Sequence, residues 1–195
     1  MNGRTIFFHQ FLKEPLQIGS VVPSSRFLER RIVKTANVAS ANMIVELGPG
    51  TGGTTKAILA EMKPDAKLLT VEINPLFHQL VSQIKDDRLI THLGNAVELK
   101  EILESYGLPN PDVVISGIPF STLDRSLGTK IIEVISSVLV YGGKFVAYQA
   151  RNRVADLCEP VMGCCHHKKL ELLNIPPMRV YCWSKNGFKR RNKVQ

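Results

Sequence analysis

Short apolar, β-branched runs recur along the chain and alternate with stretches whose apolar residues return every three or four positions. The runs Met43–Leu47, Lys67–Val71, Leu89–His92, Asp112–Ser116 and Lys144–Ala150 predict strands, because a strand buried on both faces reads as a near-continuous apolar run. Between them, Thr54–Met62, Pro75–Lys85, Ala96–Ser105 and Ser126–Leu139 predict helices. Such alternation implies a parallel sheet with helical crossovers. Asn74-Pro75 is a helix start, a capping amide followed by proline at the first helical position, and Tyr141-Gly142-Gly143 stops the fourth helix. Beyond the fifth strand the pattern changes. Val154–Met162 predicts a helix, and Lys169–Asn174 and Arg179–Lys185 predict two strands joined by a turn at Ile175-Pro176-Pro177. Two helical segments precede the first strand: the aromatic stretch Thr5–Lys13, and one after Pro23-Ser24 with Ser24 as its cap.

Composition narrows the class. A chain of 195 residues, 44% hydrophobic and 22% charged, has the balance of one folded domain with a core, here expected over 1–195. No apolar run approaches the length needed to cross a bilayer, and MNGRTIFFHQF lacks the long apolar stretch and cleavage site of a secretory signal. The expected setting is cytoplasmic. A formal charge of +8 favours polyanions, either nucleic acid or an anionic membrane face, without choosing between them. Cys158, Cys164, Cys165 and Cys182 form no CxxC pair. In Cys164-Cys165-His166-His167, neighbouring side chains of an extended segment point to opposite faces. No metal site is therefore expected, and the thiols are read as reduced.

The strongest motif is Val45-Glu46-Leu47-Gly48-Pro49-Gly50-Thr51-Gly52-Gly53, which follows a strand and opens a helix. Glycines there allow a tight turn and close approach to a ligand. Gly48, Gly50 and Gly53 also satisfy the dinucleotide pattern GxGxxG, but that pattern alone is weak. Glu46 discriminates: a carboxylate beside the loop repels a pyrophosphate and welcomes the sulfonium and ammonium of S-adenosylmethionine (AdoMet). Glu72, about 20 residues beyond the loop and followed by Ile73, is placed to bind both ribose hydroxyls. After the third strand, Gly94-Asn95-Ala96 offers the Asn95 oxygen to an adenine amine. The expected cofactor set is Glu46, Leu47, Gly48, Gly50, Thr51, Gly52, Glu72, Ile73, Asn95, Ala96 and Ser116.

The fourth strand ends in Ser116-Gly117-Ile118-Pro119-Phe120. This resembles the (D/N/S)-P-P-(Y/F) corner of amino-methylating enzymes, whose oxygens hold the N–H groups and aim the amine lone pair at a methyl carbon. The related rRNA adenine dimethylases carry Asn where Gly117 stands. Phe120 is expected to border the substrate, by stacking or by cation–π attraction. A closer resemblance runs through nearly the whole chain. Pro15–Ser25, Glu46–Gly52, Ser116–Pro119, Tyr148-Gln149 and Asn174-Ile175-Pro176-Pro177-Met178-Arg179-Val180-Tyr181 are similar to segments of the bacterial phospholipid N-methyltransferases. That resemblance implies an α/β fold, the Rossmann-like class I methyltransferase sheet of five parallel strands plus a C-terminal antiparallel hairpin, with N-terminal helices. It implies AdoMet as cofactor and methylation of the amino headgroup of phosphatidylethanolamine. It places Tyr148 and Tyr181, and more weakly His9, near the headgroup, beside Ser116, Gly117, Pro119 and Phe120. Asn95 departs from the family's usual acid, and Cys158–Lys169 matches none of its segments.

Phe7, Phe8, Phe11 and Leu12 share one helical face flanked by Arg4 and Lys13, which suits either docking on an anionic membrane or packing on the core. Arg26, Arg30 and Lys34 recur every four residues, and Lys189, Arg190, Arg191 and Lys193 add charge to the tail. The expected partner is a phospholipid at the inner face of the membrane. Nucleic acid is the second choice, and no feature calls for a protein partner. An rRNA adenine dimethylase and a non-catalytic AdoMet-binding protein are the competing readings. The missing corner Asn, and the short length after Ala150, weigh against the first.

Overall fold

A computed structural model describes residues 24–185. Its strands are β1 (Met43–Leu47), β2 (Lys67–Glu72), β3 (Leu89–Leu93), β4 (Val113–Ser116), β5 (Lys144–Gln149), β6 (His167–Glu171) and β7 (Met178–Ser184). They form one sheet in the order β3-β2-β1-β4-β5-β7-β6. The first five pair in parallel; β7 runs antiparallel to β5, and β6 antiparallel to β7. Every residue of β1 and β4 is buried, which is why both read as unbroken apolar runs.

The helices are α1 (Arg26–Ala36), α2 (Gly53–Glu61), α3 (Pro75–Val81), α4 (Leu99–Ser105), α5 (Arg125–Val138) and α6 (Arg153–Met162). Leu28 and Ile32 of α1 and Ile58 of α2 pack on Ile44, Leu68, Ile115 and Val146. On the opposite face, Leu99 and Ile102 of α4, Ile131 and Ile135 of α5 and Leu157 of α6 pack on Val45, Leu69, Val114 and Phe145. Neighbours on one strand, such as Ile44 and Val45, serve opposite cores, as the two-residue period of a strand requires.

Several predicted boundaries move, each for a local reason. Ser25 caps α1, not Ser24: its Oγ accepts from Leu28 N at 3.2 Å. α3 stops at Val81, and Ile84 N reaches back only to Val81 O in a tight turn. The predicted helix Ala96–Ser105 opens as a 3-10 turn, Ala96–Glu98, before α4. β6 starts earlier than expected and ends at Glu171, whose carboxylate accepts Leu173 N at 3.0 Å and turns the chain out of the strand. The aromatic stretch Thr5–Lys13, His9 and the basic tail lie outside the described residues. Cys158 and Cys182 are buried, and the Cys165 thiol donates to His167 O at 2.9 Å. Among the described residues, no group of three His, Cys, Asp or Glu side chains is placed to hold a metal, and no helix is long and apolar enough to cross a membrane.

β1 and β4 lie side by side, yet the chain leaves β1 toward β2 and β3, and β4 toward β5. The crevice at the carboxyl ends of such a pair is where open α/β sheets bind ligands.

Candidate active site

A cavity of about 350 Å³ occupies that crevice. Its walls are Gly48–Thr51, Gly53 and Thr54 after β1, Glu72–Asn74 after β2, Gly94–Ala96 after β3, Gly117–Pro119 after β4, and Tyr148 from β5. Ser24, Val71, Phe77, Thr122, Leu123, Leu127 and Ile131 complete it. Gly48, Gly50 and Gly52 have φ of 70°, 56° and 83°, a region that favours glycine, so the sharp β1–α2 turn depends on them. Gly53 is close-packed instead: a Cβ there would meet the carboxylate of Glu29, which would have to swing aside. Glu29, on α1, was not legible as a site neighbour. It is half-buried, and burial raises its pKa, with Lys56 opposing.

Glu72 is nearly buried at the end of β2. Its Oε2 accepts Gly50 N at 3.2 Å and its Oε1 accepts Asn74 N at 2.9 Å. A carboxylate offers about four lone-pair positions. Two therefore remain for the pair of hydroxyls on a ribose, and the same residue ties the glycine loop to the β2–α3 loop. Asn95 lines the cavity while its Oδ1 caps Val97 N at 3.2 Å. Ile73 and Ala96 lie on the wall.

Glu46 is not on the wall. It is fully buried on the α1–α2 face, where its Oε2 accepts the Thr55 hydroxyl at 2.6 Å. Its Oε1 has no partner among the described residues. Burial pushes its pKa up to about 8, Thr55 opposes, and Glu72 and Glu29 add to the rise. The folded protein thus holds a proton there from its ordinary value of 4.5 up to about 8. Stability from this group is present below 4.5 and lost as pH rises toward 8. Ligand-free wild type is expected to lose on the order of 3 kcal/mol more stability between pH 5 and pH 8 than Glu46→Gln does. Denaturant melts at the two pH values check this; equal slopes would contradict it.

The corner after β4 is braced from within. Ser116 Oγ accepts Ile118 N at 3.2 Å, and the Gln149 amide donates to Ile118 O at 2.7 Å. Ile118 O also accepts Phe120 N, and Pro119 O accepts both N and Oγ1 of Thr122. Both carbonyls are fully used, which leaves Gly117 and Tyr148, whose hydroxyl lies beside Gly117, on the cavity wall. Burial, the Glu46 charge and other acids raise the Tyr148 pKa well above its ordinary value, against a Thr54 hydrogen bond, so the phenol stays protonated at neutral pH.

Five further predicted site residues lie off the cavity wall. Phe120 is fully buried in the core rather than bordering the cavity. Phe120→Ala is expected to cost about 3–5 kcal/mol of stability, read by denaturant unfolding, with AdoMet affinity of the folded protein retained. Tyr181 is also buried away from the cavity; it stacks on Trp183 at 5.7 Å and donates to Asn152 Oδ1 at 2.6 Å. Ser116 and Leu47 are fully buried behind the wall, and Gly52 supports the loop as the residue capping α2. Asn174 has a role that the sequence motif did not disclose. It accepts Ser25 N at 2.8 Å and donates to Pro176 O at 2.8 Å, fixing the start of α1, and so Ser24, against the hairpin.

These features fit AdoMet. An acceptor pair at Glu72, a glycine cradle and a carboxylate on the wall suit a nucleoside that carries a sulfonium and an ammonium. No family model matches the chain. The ornithine lipid N-methyltransferase of Singulisphaera acidiphila is 32% identical over 142 residues, 72% of this chain and 74% of that one. The chain belongs to that enzyme's family, within the class I AdoMet-dependent methyltransferases. This methyltransferase is also 33% identical over 108 residues to the ribosomal RNA small subunit methyltransferase A of Maricaulis maris, 54% of this chain but only 35% of the relative. Among solved structures, the methyltransferase shares its fold with TrmN from Thermus thermophilus (TM-score 0.67, 14% identity, 81% of this chain and 48% of that one). It also shares it with the N-methyltransferase NodS from Bradyrhizobium japonicum WM9 in complex with S-adenosyl-L-homocysteine (TM-score 0.67, 11% identity, 84% and 89%). AdoMet is its cofactor.

Proposed function

We propose that this methyltransferase acts on the amino headgroup of a phospholipid such as phosphatidylethanolamine, at an anionic membrane surface. One observation carries the reading: apolar side chains stand exposed around the cavity mouth. Ile73 is 69% exposed and lines the cavity, Leu127 lines it too, and Leu76 is exposed beside them. The β6–β7 tip adds Leu172, Leu173 and Ile175, at 68%, 61% and 82%. Gln149 pairs with Arg179, so this tip lies at the same carboxyl end of the sheet as the cavity. Apolar surface around a site is covered naturally by acyl chains, and the family includes an enzyme named for a lipid acceptor.

Bound AdoMet supplies a methyl group already activated by its sulfonium, so the protein's task is to place and desolvate the amine. Glu72 and the Gly48–Gly52 loop hold the cofactor, and Tyr148 and the Gly117 edge form the wall that faces the acceptor. An alkylammonium, with a reference pKa of about 10.4, has no lone pair. Burial favours the neutral amine, so its proton is released to solvent as the headgroup enters, and Tyr148, held as the phenol, does not take it. In this reading residues 1–195 act as one domain at the inner face of the membrane, with Phe7, Phe8, Phe11 and Leu12 as further membrane contacts. The test is expression in a bacterial host whose phosphatidylethanolamine is otherwise unmethylated. Mass spectrometry of its lipids should show phosphatidylethanolamine carrying added methyl groups, absent with Glu72→Ala. Unchanged lipids together with newly methylated ribosomal adenines would overturn the reading.

A further inference from the structure

A second, open pocket of about 440 Å³ adjoins the active site. One turn separates the two: Pro119, Thr122 and Leu123 line the first cavity and Ser121 the second. Arg125, Arg151 and Arg153 surround the second pocket with Asn152 and one acid, Asp156. Arg125 opens α5, whose Leu127 and Ile131 line the first cavity; Arg151 and Arg153 follow β5, whose Tyr148 does the same. Both pockets therefore open at the carboxyl end of the sheet.

Among the described residues, these three guanidinium groups have no ion pair and no hydrogen bond; the ion pairs there are Arg31–Glu171 and Arg88–Asp86. Asp156 does not neutralise them. Gathering three unpaired cations costs Coulomb energy that a bound anion would relieve. Other donors converge on the same place. α5 and α6 both begin here without a side-chain cap; Ala155 N turns back to Asn152 O, which leaves the N–H groups of Arg125 and Ser126 and of Arg153 and Val154 without a partner among the described residues. Tyr181 donates to Asn152 Oδ1, which leaves the N–H groups of that amide as the free donors.

We propose that this pocket binds the anionic group of the acceptor's headgroup, a phosphodiester, while the attached amine reaches the Gly117 edge on the other side of the turn. The proposal rests on the lipid reading above. Guanidinium forks match phosphate oxygens in pairs, which suits three arginines to a phosphodiester. A phosphatidylethanolamine headgroup carries its phosphate and its amine close together, as two pockets sharing one turn require. Free phosphate has the same chemistry, and the test separates the two sources.

The test compares wild type, the double variant Arg151→Ala/Arg153→Ala, and Lys100→Ala as a control for loss of a remote exposed charge. Methyl transfer to phosphatidylethanolamine is measured in neutral detergent micelles, and binding of glycerophosphoethanolamine and of inorganic phosphate by calorimetry. The double variant should raise KM for the lipid roughly tenfold or more, with kcat within about twofold and AdoMet affinity unchanged. It should also lose glycerophosphoethanolamine binding, while Lys100→Ala behaves as wild type. An unchanged KM together with unchanged glycerophosphoethanolamine binding overturns the proposal. So does a pocket that takes inorganic phosphate but not glycerophosphoethanolamine, and so does a loss seen only in affinity for ribosomal RNA. If wild type methylates no amino lipid yet binds glycerophosphoethanolamine through these arginines, the pocket stands and the lipid reading fails.

Discussion

Gly117→Asn is expected to abolish methyl transfer and to weaken AdoMet binding at least tenfold. A Cβ at this position would sit 2.7 Å from Gly48 O and collide with the Tyr148 hydroxyl. Gly48 belongs to the glycine loop that lines the cavity, so relief requires moving backbone and not merely the tip of a side chain. Overpacking of this kind costs about 1–3 kcal/mol, and here the strain falls on the binding loop itself. The substitution restores the residue of the adenine dimethylases, so an argument from motif alone would expect it to be harmless or beneficial. Tyr148→Phe in the same chain removes the hydroxyl clash but not the contact with Gly48 O, and rescue should be slight. Calorimetry with AdoMet and a transfer assay read the two effects. Wild-type affinity in Gly117→Asn would show that the β1 and β4 loops part freely.

Glu72→Ala should have an effect of similar size by a different route. On the proposed reading its two remaining lone-pair positions accept from the ribose hydroxyls, and charge-assisted bonds of that kind total on the order of 2–4 kcal/mol. AdoMet affinity is expected to fall by roughly 30- to 1,000-fold. Gly50 N and Asn74 N lose their acceptor as well, so the loops on both sides of the cavity loosen. Glu72→Gln keeps one acceptor oxygen and should fall between wild type and alanine. Unfolding midpoints recorded in parallel separate lost binding from lost structure. An unchanged dissociation constant in Glu72→Ala would remove this residue from the ribose.

The sheet was readable because burial imposes a pattern that the chain cannot hide: strands covered on both faces are continuous apolar runs, and β1, β2 and β5 fall where those runs lie. The glycine loop was readable for a similar reason, since its positive φ angles restrict the residue types that fit. What escaped were contacts between distant segments. Gly117 reads in sequence only as a missing Asn; its cause is Tyr148, brought alongside from β5. Phe120 follows the corner in sequence, but the Phe120 N to Ile118 O bond at 2.9 Å tightens the turn, and the ring ends in the core. Glu46 sits beside the loop in sequence, but the alternation of β1 directs it to Thr55. Likewise Arg125 is far in sequence from Arg151 and Arg153, so the pocket they form with Asn152 emerges only when α5 and α6 are packed together.

The central claim, an AdoMet-dependent methyltransferase whose acceptor is a lipid amine, is tested most directly by one competition. The purified protein is incubated with methyl-labelled AdoMet, phosphatidylethanolamine-containing anionic vesicles and ribosomal RNA in the same tube, and the fractions are then separated. The account predicts label on the lipid headgroup nitrogen, abolished by Gly117→Asn, with none in the RNA. Label in the RNA and none in the lipid would contradict it.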